Sequence, residues 1–418
     1  MRLSRLLGVS PAHAESLEQA GLRTVQDLAL IGDLGTLSER SGIALDFLEK
    51  SQASAKAQMA GSGRRRLGLA LFGGVSVLLL AAIGAWMIRN GLSLRHDRAI
   101  SHYNPANSLY HKGEYDAAIV EYKQAIALNP GFAGAYNNLG NALCGKGEYD
   151  AGIVEYKKAL ALKPDYANAY NNLGNALDGK GEYEAAIVGY KKALALKPDD
   201  ANPHNGLCKT LDDKGDYDAA IVECQKALAL DPDNVLAHNN LGNALDDKDD
   251  HDAAIVEFKK ALALKPDYAP AHYNLGNALS GKGEYRAAIR EYDRFIRLTP
   301  DNPDAWNNRC FSRAVVGQLQ SALADCNESL RLAGNNEDAL DNRGLVHLKM
   351  NNLQAAIADY SAALAINPKE ASSLYGRGVA ERLVGDRKAS RADIAAAKAI
   401  DPDIAEEFEK WGVTSPKH

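Results

Sequence analysis

From about residue 99 to residue 404 the chain alternates short amphipathic stretches with abrupt breaks, and the breaks recur. In residues 133–166, AGAYNNLGNALCGKGEYDAGIVEYKKALALKPDY, apolar residues at helical spacing run to Leu143, and Gly145 and Gly147 interrupt the pattern. A second amphipathic stretch opens near Tyr149 and stops before Pro164. Apolar residues three and four apart mark one face of a helix, and Gly and Pro end it, so the spacing predicts two helices joined by a tight turn. The unit returns every 34 residues: Pro130, Pro164, Pro198, Pro232, Pro266, Pro300, Pro368 and Pro402 share one register, with Gly334 in the single empty slot. A fixed period of this length marks a repeat array. Gly140 on the first helix, and Gly152 and Ala159 on the second, stand where the helices must approach closely; Tyr136, Leu139, Tyr149 and Tyr156 fill the layer between them.

The period also disposes of an apparent nucleotide site. GNALCGKGEY at 140–149 matches seven of the eight positions of a phosphate-binding loop, but Gly147 stands where Ser or Thr would reach magnesium. The motif recurs as GNALDGKGEY at 174–183 and GNALSGKGEY at 276–285, following helical patterns rather than strands, so it belongs to the repeat.

The spacing resembles the tetratricopeptide repeat. Its signature is carried by Tyr136, Leu139, Gly140, Gly147, Tyr149, Gly152, Tyr156, Ala159 and Pro164, with Gly152 replacing the usual Ala. Nine repeats begin at 99, 133, 167, 201, 235, 269, 303, 337 and 371, the first degenerate, with Pro105 inside its first helix. The resemblance implies an all-α, right-handed α-solenoid over 99–404. DPDIAEEFEKWGV reads as a capping helix, with the tail to 418, that covers the apolar end of the last repeat.

Two substitutions change in step along the array. Most early repeats carry Leu at position 7; the last three carry Arg309, Arg343 and Arg377, together with Asp325, Asp359 and Asp393 at position 23. Salt bridges between the two helices of each repeat are expected. Cys208 and Cys310 occupy position 8, where most repeats have Gly, and Cys224 and Cys326 occupy position 24, where others mostly have Tyr or Phe. Positions 8 and 24 face each other in the family, which implies disulfides Cys208–Cys224 and Cys310–Cys326 in an oxidising compartment; buried free thiols filling a small gap are the alternative. Cys144 is left over.

In tetratricopeptide arrays the first helices line a concave groove that receives extended peptides, with positions 2, 5, 6, 9, 12 and 13 facing it. Position 6 here is Asn138, Asn172, Asn240, Asn274, Asn308 and Asn342, and position 9 is Asn141, Asn175, Asn243 and Asn277. An amide offers both donor and acceptor and can pair with a peptide backbone of any sequence. These rails look similar to the asparagine ladder of the O-linked N-acetylglucosamine transferases, although Asn is also what the repeat consensus carries there. Asp178, Asp212 and Asp246, with Asp213 and Asp247, place an acidic strip at positions 12 and 13, which favours a neutral or basic partner. Position 9 then becomes Phe311, Leu345 and Val379, so the groove turns apolar. The basic residues of a carboxylate clamp are missing from position 5.

Composition modifies this picture at the amino-terminal end. Residues 1–98 hold 12 Lys/Arg against 8 Asp/Glu, whereas 99–418 hold 36 against 46, a poor balance for phosphate contacts. LGLALFGGVSVLLLAAIGAWMI, 67–88, carries no charge and at ~1.5 Å per residue would span about 33 Å, so a transmembrane helix contacting the lipid bilayer is expected there. The preceding basic linker 61–66 contains Arg64, Arg65 and Arg66, which predicts a cytoplasmic amino terminus, an inner-membrane location and a periplasmic array beyond the linker 89–98. Residues 1–60 resemble helix-hairpin-helix-like domains, but the hairpin reads Gly8, Val9, Ser10 and lacks its second glycine. With 6 Lys/Arg against 7 Asp/Glu, that segment reads as a protein-contact module.

The sequence therefore reads as a membrane-anchored scaffold for proteins or extended peptides. It is not read as an enzyme, and no cofactor, metal or small-molecule substrate is expected. A regulator whose head touches nucleic acid, or a cytoplasm-facing recruiter of soluble proteins, are the rival readings. His204, His238 and His272 fall at position 4, a packing position, and read as core-edge residues rather than bases or ligands.

Overall fold

The computed structural model describes residues 96–413 and, alone before them, Ala53. The expected domain 1–60, basic linker 61–66, membrane span 67–88 and the tail 414–418 lie outside the described residues. No helix among the described residues is long and apolar enough to cross a membrane. The described helices are short and amphipathic, whereas a span needs about 20 predominantly apolar residues. The expectations of a transmembrane helix within the fold and of a single-pass inner-membrane protein are corrected accordingly.

Two compact units divide at Glu148. The described part of the first holds α1 (96–111), α2 (Tyr115–Leu128) and α3 (Ala133–Gly145). The second holds α4 (Tyr149–Leu162), α5 (Ala167–Gly179), α6 (Tyr183–Leu196), α7 (Ala201–Asp213), α8 (Tyr217–Leu230), α9 (Val235–Asp246), α10 (His251–Leu264) and α11 (Ala269–Gly281). It continues with α12 (Tyr285–Leu298), α13 (Pro303–Val315), α14 (Leu319–Ala333), α15 (Glu337–Lys349), α16 (Leu353–Ile366), α17 (Ala371–Val384), α18 (Arg387–Ile400) and α19 (Ile404–Lys410). Every described element is α-helical or a turn, and in the second unit consecutive helices pack as antiparallel pairs stacked on their neighbours.

The turn chemistry explains the Gly-Lys-Gly motif. Lys180 and Lys282 end first helices, and Gly181 (φ +75°) and Gly283 (φ +80°) turn the chain left-handed into the next helix, a conformation Gly adopts without steric penalty. The motif is a turn, with no phosphate to hold.

Within a pair, position 8 is Gly because an aromatic ring from position 24 lies against its backbone. A Cβ on Gly242 would meet Phe258 Cε1 at 2.5 Å, and one on Gly276 would meet Tyr292 Cε1 at 2.5 Å. Those rings are almost wholly buried. In two pairs this arrangement is replaced by disulfides: Cys208 joins Cys224 and Cys310 joins Cys326, with Cα separations of 5.2 and 5.4 Å.

Position 23 ties the two helices of a pair by charge. In α7/α8, α9/α10 and α11/α12 a Glu meets the Nδ1 atom of a position-4 His: His204–Glu223 at 2.6 Å, His238–Glu257 at 2.7 Å and His272–Glu291 at 2.8 Å. The Nε2 atoms of His238 and His272 lie 2.9 Å from the carbonyls of Pro232 and Pro266, so these rings also brace the preceding loop. In the last three pairs the expected salt bridges are found, each two-pronged. Arg309 meets Asp325 at 2.9 and 2.7 Å, Arg343 meets Asp359 at 2.8 and 2.7 Å, and Arg377 meets Asp393 at 2.6 and 3.1 Å.

Candidate peptide-binding surface

The first helix of each pair carries the Asn residues, and the structure shows what their amides touch. In the first unit Asn138 Nδ2 donates to Tyr103 Oη at 2.8 Å and to Asn107 Oδ1 at 2.9 Å. In the second unit Asn240 donates to Asn205 at 3.0 Å and Asn342 to Asn307 at 2.9 Å. Asn274 donates to Asn239 at 3.2 Å and Asn243 at 2.8 Å, and Asn308 to Tyr273 Oη at 3.2 Å and Asn277 Oδ1 at 3.0 Å. Position 6 thus reaches positions 5 and 9 of the preceding repeat. The rails are cross-linked, and part of their hydrogen-bonding capacity holds successive first helices together.

Position 9 is used on one side only. The Oδ1 atoms of Asn175 and Asn277 accept the hydroxyls of Tyr190 and Tyr292 at 2.9 Å, and that of Asn243 accepts Asn274. The Nδ2 groups of Asn175 and Asn243 have no protein partner among the described residues, and that of Asn277 is met only by the Tyr273 hydroxyl. An amide nitrogen carries two donors, so these remain for a ligand. Asn141 and Asn172 are engaged as well, on α3 and α5.

The acidic strip is weaker than its sequence suggests. Asp178 is buried and accepts Thr210 Oγ1 at 2.6 Å and Lys209 Nζ at 2.8 Å. Lys209, at position 9 of its repeat, also holds Asp213 at 2.6 Å. Asp246 meets His251 at 2.7 Å. Asp212 keeps a buried oxygen without a partner, and burial, helped by the charges of Asp247 and Asp213, pushes its carboxyl up to about 7. Neutral water therefore sees a carboxyl that is about half protonated.

The apolar stretch is not an open groove. Leu345 and Val379 lie in one core with Ile404, Phe408 and Val413, and Trp411 packs edge-on to Phe311 with ring centres 5.2 Å apart. Lys349 Nζ donates to the carbonyls of Trp411 and Val315. The carboxyl-terminal helix α19 does more than cap the last pair: the segment it leads reaches back across α15 to α13. The sequence missed this fold-back, and its one signal was that three apolar side chains at position 9 would otherwise face water.

Beside that segment lies a cavity of about 350 Å³ between the first helices α11, α13 and α15. Asn277, Asn308, Asn342, Phe311, Asp338 and Asp341 are among its walls. Asp338 and Asp341 were not singled out from the sequence, although position 5, where Asp341 sits, belongs to the groove-facing set. Among the described residues no cluster of His, Cys, Asp or Glu has the arrangement of a metal site.

Models of the TPR repeat match residues 106–147, 140–178, 209–249 and 242–283, and models of the tetratricopeptide repeat match 167–200, 269–302 and 337–370. Together they span more than half of the chain. No curated protein matches it. Among solved structures, one reported as the functional characterization of Pseudomonas aeruginosa pilF is 21% identical, with a TM-score of 0.46 over 50% of this chain and 94% of that one. YrrB, described as a TPR protein with an unusual peptide-binding site, is 23% identical, with a TM-score of 0.36 over 45% and 97%. MamA is 28% identical, with a TM-score of 0.34 over 40% and 91%.

Proposed function

The chain belongs to the tetratricopeptide repeat family, and from that premise we propose that it is a non-catalytic scaffold that holds an extended segment of a protein partner along its first helices. The reading rests on the Nδ2 donors left over at Asn175, Asn243 and, after its contact with Tyr273, Asn277, on a surface otherwise largely closed by its own hydrogen bonds. Donors that recur along the array suit the carbonyls of an extended backbone and ask little of its side chains. The partner is neutral or basic, because Asp212, Asp213, Asp246 and Asp247 border the same surface.

The test is to replace Asn175, Asn243 and Asn277 together by Asp in the full chain. Asp keeps the acceptor oxygen that the tyrosines and Asn274 use, and removes the outward donors. Capture of peptides from an array of nonapeptides is expected to fall at least about tenfold, one hydrogen bond to each amide being worth roughly 0.5–1.5 kcal/mol. Undiminished capture would show that the partner lies on another face.

A further inference from the structure

We infer that the cavity between α11, α13 and α15 receives one basic side chain, arginine above all, of the segment bound on the first helices. The inference rests on the peptide-binding reading and gives it a sequence preference. Four observations carry it.

The first is charge. Asp338 and Asp341 line the cavity, no Lys or Arg does, and neither carboxylate has a cationic partner among the described residues. Elsewhere on this surface Asp178 and Asp213 are matched internally by Lys209, and Asp246 by His251. Here Asp341 meets only neutral hydroxyls among the described residues, Ser373 at 2.5 Å and Ser372 beside it. The second is hydrogen-bond polarity. Asn308 and Asn342 use their Nδ2 groups on the preceding repeat, which leaves their oxygens as acceptors beside the two carboxylates. A wall rich in acceptors is met by a ligand that only donates, and the guanidinium group has five N–H donors and no acceptor.

The third is an aromatic part of the lining. Phe311, held edge-on by Trp411, gives a fixed ring face against which an aliphatic stem and a cation both gain. The fourth is size: about 350 Å³ is at the low end for ligand pockets and accommodates one long side chain.

Titration gives the site a signature. Burial pushes the Asp341 carboxyl up to about 6, with the Ser373 and Ser372 hydroxyls opposing the shift and Glu370 and Asp338 adding to it; Tyr360 is a further titratable group near it, and Tyr292 lines the same cavity. A cation prefers the ionised form, so affinity for the basic side chain rises as pH climbs through 6.

The experiment uses the full chain on a cellulose-bound array of nonapeptides, each hit resynthesised with a fluorescent label and with its basic residue changed to citrulline, which keeps the shape of arginine and removes the charge. Hits are expected to share an Arg or Lys, citrulline to weaken binding at least tenfold at pH 7.5 and much less at pH 5, and Asp338→Asn with Asp341→Asn to abolish the distinction. Asp338→Asn alone, at an exposed position, serves if the double variant folds poorly. Hits that bind equally well as citrulline peptides, or that bind the Asn variants unchanged, overturn the cavity assignment and leave the scaffold reading standing. Free arginine amide that displaces the hits at their own concentrations would show that the cavity serves a small guanidinium compound and would overturn the assignment to a peptide. A wild-type chain that captures no array peptide removes both.

Discussion

Helix pairs α7/α8 to α11/α12 and pairs α13/α14 to α17/α18 share one backbone plan but join their two helices differently. In the earlier group position 23 is Glu, reached by the single Nδ1 atom of a His at position 4. In the later group it is Asp, reached by both prongs of an Arg at position 7. The shorter Asp side chain draws its partner from one turn further along the first helix, and Arg takes the place of the Leu that fills position 7 in the earlier repeats. The lesson is that the repeat specifies a tie between these helices rather than the residues that make it. The two ties differ in what happens when they break: Asp325 is 2% exposed and also meets Arg313 at 2.7 Å, whereas Lys260, which shares Glu257 with His238, is largely in water.

The largest expected effect follows from that contrast. Asp325→Ala leaves Arg309 and Arg313 with Asp293 alone, and truncating one partner of a buried charge network costs about 3–5 kcal/mol. Glu257→Ala should cost less, about 1–2 kcal/mol, because an imidazole, unlike a guanidinium, can discard its charge when the carboxylate is removed, and His238 keeps its contact with the Pro232 carbonyl. Urea denaturation of both variants side by side checks the difference, and equal midpoints would break the comparison.

Next comes the junction of positions 8 and 24, where ring and bridge exclude each other. Cys208→Ala with Cys224→Ala, measured without reductant, should cost about 3 kcal/mol, the chain-entropy value for a closed loop of this length. Gly242→Ala, with its methyl 2.5 Å from Phe258, should cost about 2 kcal/mol through overpacking. Adding dithiothreitol sharpens the pair of results, since it should lower the parent's midpoint by more than that of the double Ala variant, in which only Cys310–Cys326 remains to be reduced, and not alter the cost of Gly242→Ala. If dithiothreitol does not lower the parent's midpoint, the bridge contributes nothing.

The smallest effect is electrostatic. Asp212 is raised from an ordinary 3.8 to about 7, so the folded chain keeps a proton that the unfolded chain has released. The contribution of Asp212 to stability is therefore full below about pH 4 and is lost as pH rises to 7. Asp212→Asn should leave stability at pH 4 unchanged and raise it at pH 8 by about 1 kcal/mol, a figure reduced for partial exposure. Thermal melts at the two pH values decide it: a gain at pH 4 equal to that at pH 8 rejects the titration account.

How much of this was legible in the sequence depends on distance along the chain. Contacts inside one repeat repeat with it, so the co-occurrence of Arg at position 7 with Asp at position 23 tied Arg309 to Asp325 before any coordinates. Contacts between repeats were hidden, because a consensus states which residues recur and says nothing about where their rotamers point. Asn274 reaching Asn243 and Asn239 is of this kind, and it turned two supposed ligand rails into one ladder with one open edge. Asp178 read as groove charge because its partners, Lys209 and Thr210, belong to the next repeat and depart from its consensus. The fold-back of the last helix was hidden most deeply, since Trp411 and Phe311 lie a hundred residues apart.

That fold-back has a consequence for traffic along the first helices. With Trp411 on Phe311, and Ile404 and Phe408 over Leu345 and Val379, the carboxyl-terminal pairs offer no through passage. A polypeptide laid along this surface meets a blind end at α13. It must stop there, with a free terminus, or swing away from the scaffold at that point. The block comes from a seven-residue helix and the Trp411 that follows it, neither of which the repeat pattern itself contains.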